Sequence, residues 1–211
     1  MDERTDSLGI RSRTDRIVAN AATAASVVAA AGVIALITIG LFFWIGQPWG
    51  SISDLSLLVM TLALAPLMLA FYELGGWTPT PLAQLAQALG WIAVLTWCAV
   101  QALIVVEVVT FDYHHGATGA FAIESVAQAY VGLWIAGANL LAGPWLGRVR
   151  WLGVVSGIGW VLLAVGLLLG GLDHPLTYLG GLGYQVLFPI WAFLMARQLG
   201  RIHPTRNLLP A

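Results

Sequence analysis

Lysine is absent from this chain, cysteine occurs once, and charged residues make up only 9% of its 211 residues. Each shortage excludes something. Soluble domains carry about 25% charged residues, so a chain with so little charge and 59% hydrophobic residues needs lipid as its solvent. One cysteine, Cys98, permits neither an internal disulfide nor a thiolate metal cluster. Without lysine there is no amine for a Schiff base. All nine cationic residues are arginines; the net charge of −1 and their short clusters beside apolar stretches argue against a nucleic-acid partner.

What the chain does have is six long apolar runs, at 22–45, 55–74, 86–109, 125–146, 152–172 and 176–199. About 20 apolar residues cross the roughly 30 Å of bilayer hydrocarbon as a helix, and lipid leaves the backbone no other way to satisfy its polar groups. The runs are continuous and do not alternate with period two, which excludes a β-barrel. The connectors are marked by helix-ending residues: Pro48 and Gly50, then Gly75, Gly76, Pro79 and Pro81, then Gly147 and Pro175. The first run, at about 25 residues, exceeds the roughly 7–15 of a signal peptide and reads as a retained anchor. The expected fold is therefore all-α: a polytopic membrane protein with a bundle of six transmembrane helices. Residues 1–20 form a short charged N-terminal segment, 21–199 the membrane domain and 200–211 a tail.

Arginine sets the direction. Arg4, Arg11, Arg13 and Arg16 precede the first run, Arg148 and Arg150 lie in one turn, and Arg197, Arg201 and Arg206 end the chain. The alternate connectors hold none. Cationic residues beside spans are retained on the cytoplasmic side, so both termini are expected in the cytoplasm of a bacterial plasma membrane. Trp44, Trp49, Trp77, Trp145, Trp151 and Tyr113 are expected at span ends, at the headgroup level. Trp97, Trp134 and Trp160 are expected to pack inside.

Two places carry candidate chemistry. On the outer face, Glu107, Asp112, His114, His115, Glu124, Asp173 and His174 gather the ligand types of zinc and similar ions; with bound water such a site supports hydrolysis or sensing. Against this, excluding arginine from that face leaves acids and histidines there by default. The adjacent spacing of His114 and His115 is also not the i, i+4 of a helical zinc motif. Glu107 is expected one turn inside the third span, where a carboxylate is costly and marks a path or partner. Glu73 is expected to pair with Arg148 or Arg150.

The second place is the midplane. Gln128 and Asn139 fall within about 20° of one another around the fourth helix, Gln101 and Gln185 are expected at similar depth, and Tyr184 is adjacent. Pro66 and Pro189 each lack an N–H and free the carbonyls of Leu62 and Gln185. A small polar cavity between helices is the expectation, holding either a ligand or interhelical hydrogen bonds. Gly153/Gly157 and Gly166/Gly170 are spaced for close helix approach.

Six spans with both ends inside is the layout of rhomboid proteases, but the Gly-x-Ser-Gly nucleophile sequence is missing: Val154 precedes Ser156-Gly157 where glycine is required. His-Glu-x-x-His and Walker sequences are also absent. On Gly132-Leu-Trp134, the glycines from Gly153 to Gly170, and the ending from Gly183-Tyr184-Gln185 to Pro189-Ile-Trp191, the chain resembles small six-helix membrane proteins of bacteria grouped as domains of unknown function, over roughly residues 22–199. That resemblance implies a six-helix membrane fold and transfers no catalytic residue. The expected function is a non-enzymatic membrane component: an accessory subunit, or a binder of a small apolar or weakly polar ligand in the midplane cavity. The alternative is a metal-dependent hydrolase or a metal or proton sensor at the outer face. No particular cofactor is indicated; the expected partners are the lipid bilayer, a small-molecule or lipid ligand, and a membrane protein or second copy.

Overall fold

A computed structural model describes residues 3–74, 80–108, 116–142 and 144–206, with side chains over 13–74, 80–108, 116–142 and 145–201. Every regular element among them is helical: α1 (Glu3–Ile45), α2 (Trp49–Leu62), α3 (Leu64–Leu74), α4 (Pro81–Val105), α5 (Gly119–Leu141), α6 (Val149–Gly170), α7 (Pro175–Gly181) and α8 (Phe188–Arg206). A π-helical segment, Leu182–Leu187, joins α7 to α8. Six stretches are long and apolar enough to cross a membrane: Arg13–Ile45, Trp49–Leu74, Pro81–Val105, Gly119–Leu141, Val149–Asp173 and Pro175–Arg201. α2 with α3 makes the second, and α7, the π segment and α8 make the sixth.

The second span starts at Trp49 rather than 55, and the third and fourth spans are displaced at both ends from the sequence expectation, with local causes. The third span begins at Pro81 rather than 86, because Thr80 caps it by accepting from the Ala83 N–H at 3.2 Å and Pro81 occupies the first turn, where a missing N–H costs nothing. It ends at Val105, closed by hydrogen bonds from Glu107 N to Ile104 O and from Val108 N to Leu103 O. That pairing is the Schellman closure, with Glu107 as its left-handed residue at φ 59°. The fourth span runs Gly119–Leu141 rather than 125–146, since Ala142 turns extended ahead of Pro144. The N-terminal charged segment continues into the first helix from Glu3 onward.

Packing follows the glycines. α5 packs most extensively on α6. A methyl group on Gly132 would meet the Gly157 carbonyl, and one on Gly157 would meet the Gly132 carbonyl and Ala136 N. Gly159 and Gly183 bring α6 against the π segment in the same way. These close approaches lie within one bundle, where backbones in van der Waals contact replace the hydrophobic drive that lipid does not supply. Large apolar side chains such as Ile37, Leu95, Leu133 and Leu169 remain exposed on the outside of the bundle.

α1 and α8 run antiparallel, Gly32 against Pro189 and Ala22, Thr23 and Ser26 bordering one cleft with Phe193, Ala196 and Arg197, so the start of α1 and the end of α8 lie toward one face. At this terminal face Arg13 pairs with Glu73 at 3.1 Å, in place of the pairing expected with Arg148 or Arg150. Arg150 instead lies over the Trp151 ring at 5.0 Å. Trp44, Trp49 and Trp151 stand at span ends and Trp145 in a 3-10 turn between α5 and α6; Trp77 and Tyr113 lie outside the described residues. Inside, an aromatic column runs from Phe71 through Trp191 and Phe188 to Trp160, which meets both Tyr184 and Trp97, with contacting ring centroids 4.6–6.3 Å apart.

Candidate functional site

The column ends at a buried acid. Glu124 lies in the second turn of α5 and is 2% exposed. Its Oε1 accepts three hydrogen bonds: from Trp97 Nε1 at 3.0 Å, from Gln101 Nε2 at 2.8 Å and from Gln128 Nε2 at 3.2 Å. Trp97 and Gln101 are four residues apart on α4, and Glu124 and Gln128 are four apart on α5. Each pair therefore shares a helix face, and the two faces meet where α4 packs on α5. Turning either amide around would set oxygen against oxygen, so the carboxyl group fixes which way both glutamines point.

Satisfying one oxygen leaves the others without partners. Glu124 Oε2, Gln101 Oε1, Gln128 Oε1 and the Tyr184 hydroxyl are buried with no hydrogen-bond partner among the described residues. Buried polar atoms are normally paired, and four without partners in one neighbourhood mark a place for a polar guest.

These groups face a common cavity of about 160 Å³, close to the roughly 150 Å³ that accepts a benzene-sized molecule. All six spans contribute to its wall. From α1 come Gly32, Ala35, Leu36, Ile39, Phe42 and Phe43, the i, i+3, i+4, i+7 stripe of a single helix face. That stripe is roughly 16 Å long at 1.5 Å per residue. Facing it are Ser53 and Asp54 of α2, Gln101, Glu124, Gln128, Leu163 and Leu167, with Gln185 and Pro189 of the sixth span. The Ser53 hydroxyl donates to the Ala35 carbonyl at 3.4 Å. None of the arginines whose side chains are described lines this space.

Two helix irregularities border it. Pro189 leaves the Gln185 carbonyl without its usual helical donor, and the backbone answers with the π turn: Phe188 N donates to Gly183 O, which also accepts from Ser156 Oγ at 3.1 Å. Pro66 does the same to Leu62, and the second span breaks at Ala63 between α2 and α3. The Pro189 ring seats against Gly32, whose missing side chain makes the room.

The sequence candidates separate accordingly. Gln101, Gln128, Tyr184 and Gln185 all line the cavity. Asn139 does not. It sits roughly 22 Å farther along α5 than Glu124, close to the terminal face rather than at mid-span. There its amide donates to Ile135 O at 2.8 Å and accepts from Trp191 Nε1 at 3.1 Å, and Gly153 packs on it. Its hydrogen bonds are structural. Glu107 is exposed in the turn after α4, not inside the span, because the helix ends two residues before it. Glu124, read from sequence as part of a solvated outer cluster, is instead the buried acid. Among that cluster Asp112, His114 and His115 lie outside the described residues. Asp173 is exposed, and His174 caps α7 by accepting from Leu176 N at 3.3 Å through Nδ1. Among the described residues, no three His, Cys, Asp or Glu side chains are grouped to hold a metal ion.

Trp97, expected only to pack inside, is the site residue that the sequence expectation left out, and Asp54, which by sequence opens the second span on the outer side with the acidic group, lines the cavity instead. The signal for Trp97 was present: two i, i+4 polar pairs, Trp97/Gln101 and Glu124/Gln128, on consecutive spans. Compared with protein families, curated proteins and solved structures, the chain matches none of them.

Proposed function

We propose that this is a non-enzymatic multi-pass membrane protein that binds a small, weakly polar molecule in the cavity among its six spans. The observation that carries the reading is the set of unpartnered buried oxygens around Glu124, facing a cavity whose remaining wall is mostly apolar. Such a combination, a few placed polar groups in an apolar pocket, is how small-molecule sites are built. An ionisable residue inside a span is a functional candidate by default, since lipid makes it costly. Among the described residues the wall offers no nucleophile with a base: Ser53 is committed to a backbone carbonyl, and no described histidine lines the cavity.

The arginine distribution supports a plasma-membrane protein with both termini in the cytoplasm. In that orientation the cavity lies toward the outer side, since α1 reaches it with its C-terminal half. A ligand arriving from outside, or from the outer leaflet, then has the shorter route.

The test is saturable binding that depends on the cavity. The purified full-length protein in lipid nanodiscs is titrated with benzyl alcohol and benzylamine, and unfolding temperature is followed. Ala35→Phe, which places a ring in the cavity, abolishes a saturable rise in unfolding temperature if the reading is right. No saturable rise for either compound, or the same rise in Ala35→Phe, contradicts it.

A further inference from the structure

Of the four unpartnered polar groups at the cavity, three are acceptors only, and the fourth, the Tyr184 hydroxyl, can donate or accept. Glu124 Oε2, Gln101 Oε1 and Gln128 Oε1 have no donors. Each lies close to Glu124 Oε1, because each belongs to a group whose other polar atom already joins the bond set there. A second carboxylate, Asp54, lines the same space. The Trp97 N–H is already engaged by Glu124, which leaves the Tyr184 hydroxyl in the wall and the Trp160 N–H behind it as unpartnered donors. No arginine with a described side chain enters the wall, so among the described residues no cation there balances a charge on Glu124.

A neutral acceptor or an anion would meet oxygen against oxygen at Glu124 Oε2, Gln101 Oε1 and Gln128 Oε1. A guest with several N–H donors and a positive charge meets the opposite. A primary ammonium has three donors and no acceptor, matching three unpartnered oxygens, and charge-assisted bonds to a carboxylate are roughly twice as strong as neutral ones. The ring of Tyr184, which also lines the cavity, adds a face of the kind that attracts cations. The remaining wall, from Leu36, Ile39 and Phe42 to Leu163 and Leu167, suits an apolar body. Metal chelation fits less well, since the described residues gather no three His, Cys, Asp or Glu ligands.

We infer that the cavity selects a small primary amine in its ammonium form, with the nitrogen among Glu124, Gln101 and Gln128 and an apolar body along the α1 wall. This rests on the proposed binding role and narrows it to one ligand class.

The experiment compares two molecules of one shape, benzylamine (cationic at neutral pH) and benzyl alcohol (neutral), by calorimetric titration of the full-length protein in nanodiscs of zwitterionic lipid. Zwitterionic lipid keeps the amine from concentrating on an anionic surface. The expected result is at least tenfold tighter binding of benzylamine. That preference should fall to within about twofold in Glu124→Gln, which keeps size and an acceptor for Trp97. N-methylbenzylamine, with one N–H fewer, should bind several-fold more weakly than benzylamine. Asp54→Asn provides a second charge removal should Glu124→Gln not fold, and should likewise weaken the amine more than the alcohol. Equal affinities for the two probes, both lost in Ala35→Phe, overturn the ammonium assignment and leave the cavity reading standing. An amine preference that survives in folded Glu124→Gln and Asp54→Asn also overturns it. If neither probe binds, both readings fall.

Discussion

Glu124 gathers three N–H donors onto one oxygen in a part of the bundle that lipid surrounds. Interhelical hydrogen bonds in membranes contribute about 0.6 kcal/mol each, at most about 1.7, so losing three donors' acceptor costs on the order of 2 kcal/mol. Glu124→Leu should therefore lower stability by about that amount in a denaturant titration in micelles, and Glu124→Gln by clearly less. Equal losses would mean that the site depends on charge, not on acceptors. Glu107 makes the contrasting case. It holds a left-handed conformation at φ 59°, which costs an L-residue roughly 1–2 kcal/mol relative to glycine, and it is exposed. Glu107→Gly should leave amine binding unchanged and raise stability by up to about 1 kcal/mol; a loss of binding would return Glu107 to the site. The two acids could not be ranked from sequence by distance from an apolar boundary alone. Shifting the third and fourth spans by about five residues toward the N-terminus exchanged their roles. Thr80-Pro81 before the third span and Pro144 after the fourth hold the information for that shift.

At the scale of elements, helix count and the approximate place of each span were legible, because hydrophobic run length is a strong constraint in lipid. The two prolines also read correctly as sites of broken helix hydrogen bonding. That the answer at Pro189 is a π turn anchored by Ser156, rather than a kink, depends on a residue 33 positions away and was not legible. Asn139 shows the same limit. Its helical phase matched Gln128, but phase says nothing of depth, and its partner Trp191 sits on another span. The glycine contacts give a sharp test of helix packing. Gly157→Val forces a side chain onto the Gly132 carbonyl and Ala136 N, and overpacking of this kind costs about 1–3 kcal/mol. Gly181→Ala has open space around it, and replacing a helical glycine gains up to about 1 kcal/mol. Thermal unfolding of the two variants should move in opposite directions; a parallel shift would contradict the packing described for α5 and α6.

For the whole molecule, the arginine pattern and the cavity make one proposal: charge confined to the terminal face, with a carboxylate-lined space reached from the other. A reporter fused to the C-terminus should be active only on the cytoplasmic side, and a periplasmic signal would overturn the proposed orientation. The central claim, that small molecules bind beside Glu124, is tested most directly by the indole N–H signals of protein carrying nitrogen-15 in its ten tryptophans. The Trp97 signal is assigned by loss in Trp97→Phe. Saturating benzylamine should move that signal, because its N–H donates to the carboxylate that receives the ligand, and should leave the exposed Trp44 and Trp151 in place. A Trp97 signal that does not move, or an equal shift across all the tryptophans, would contradict the account.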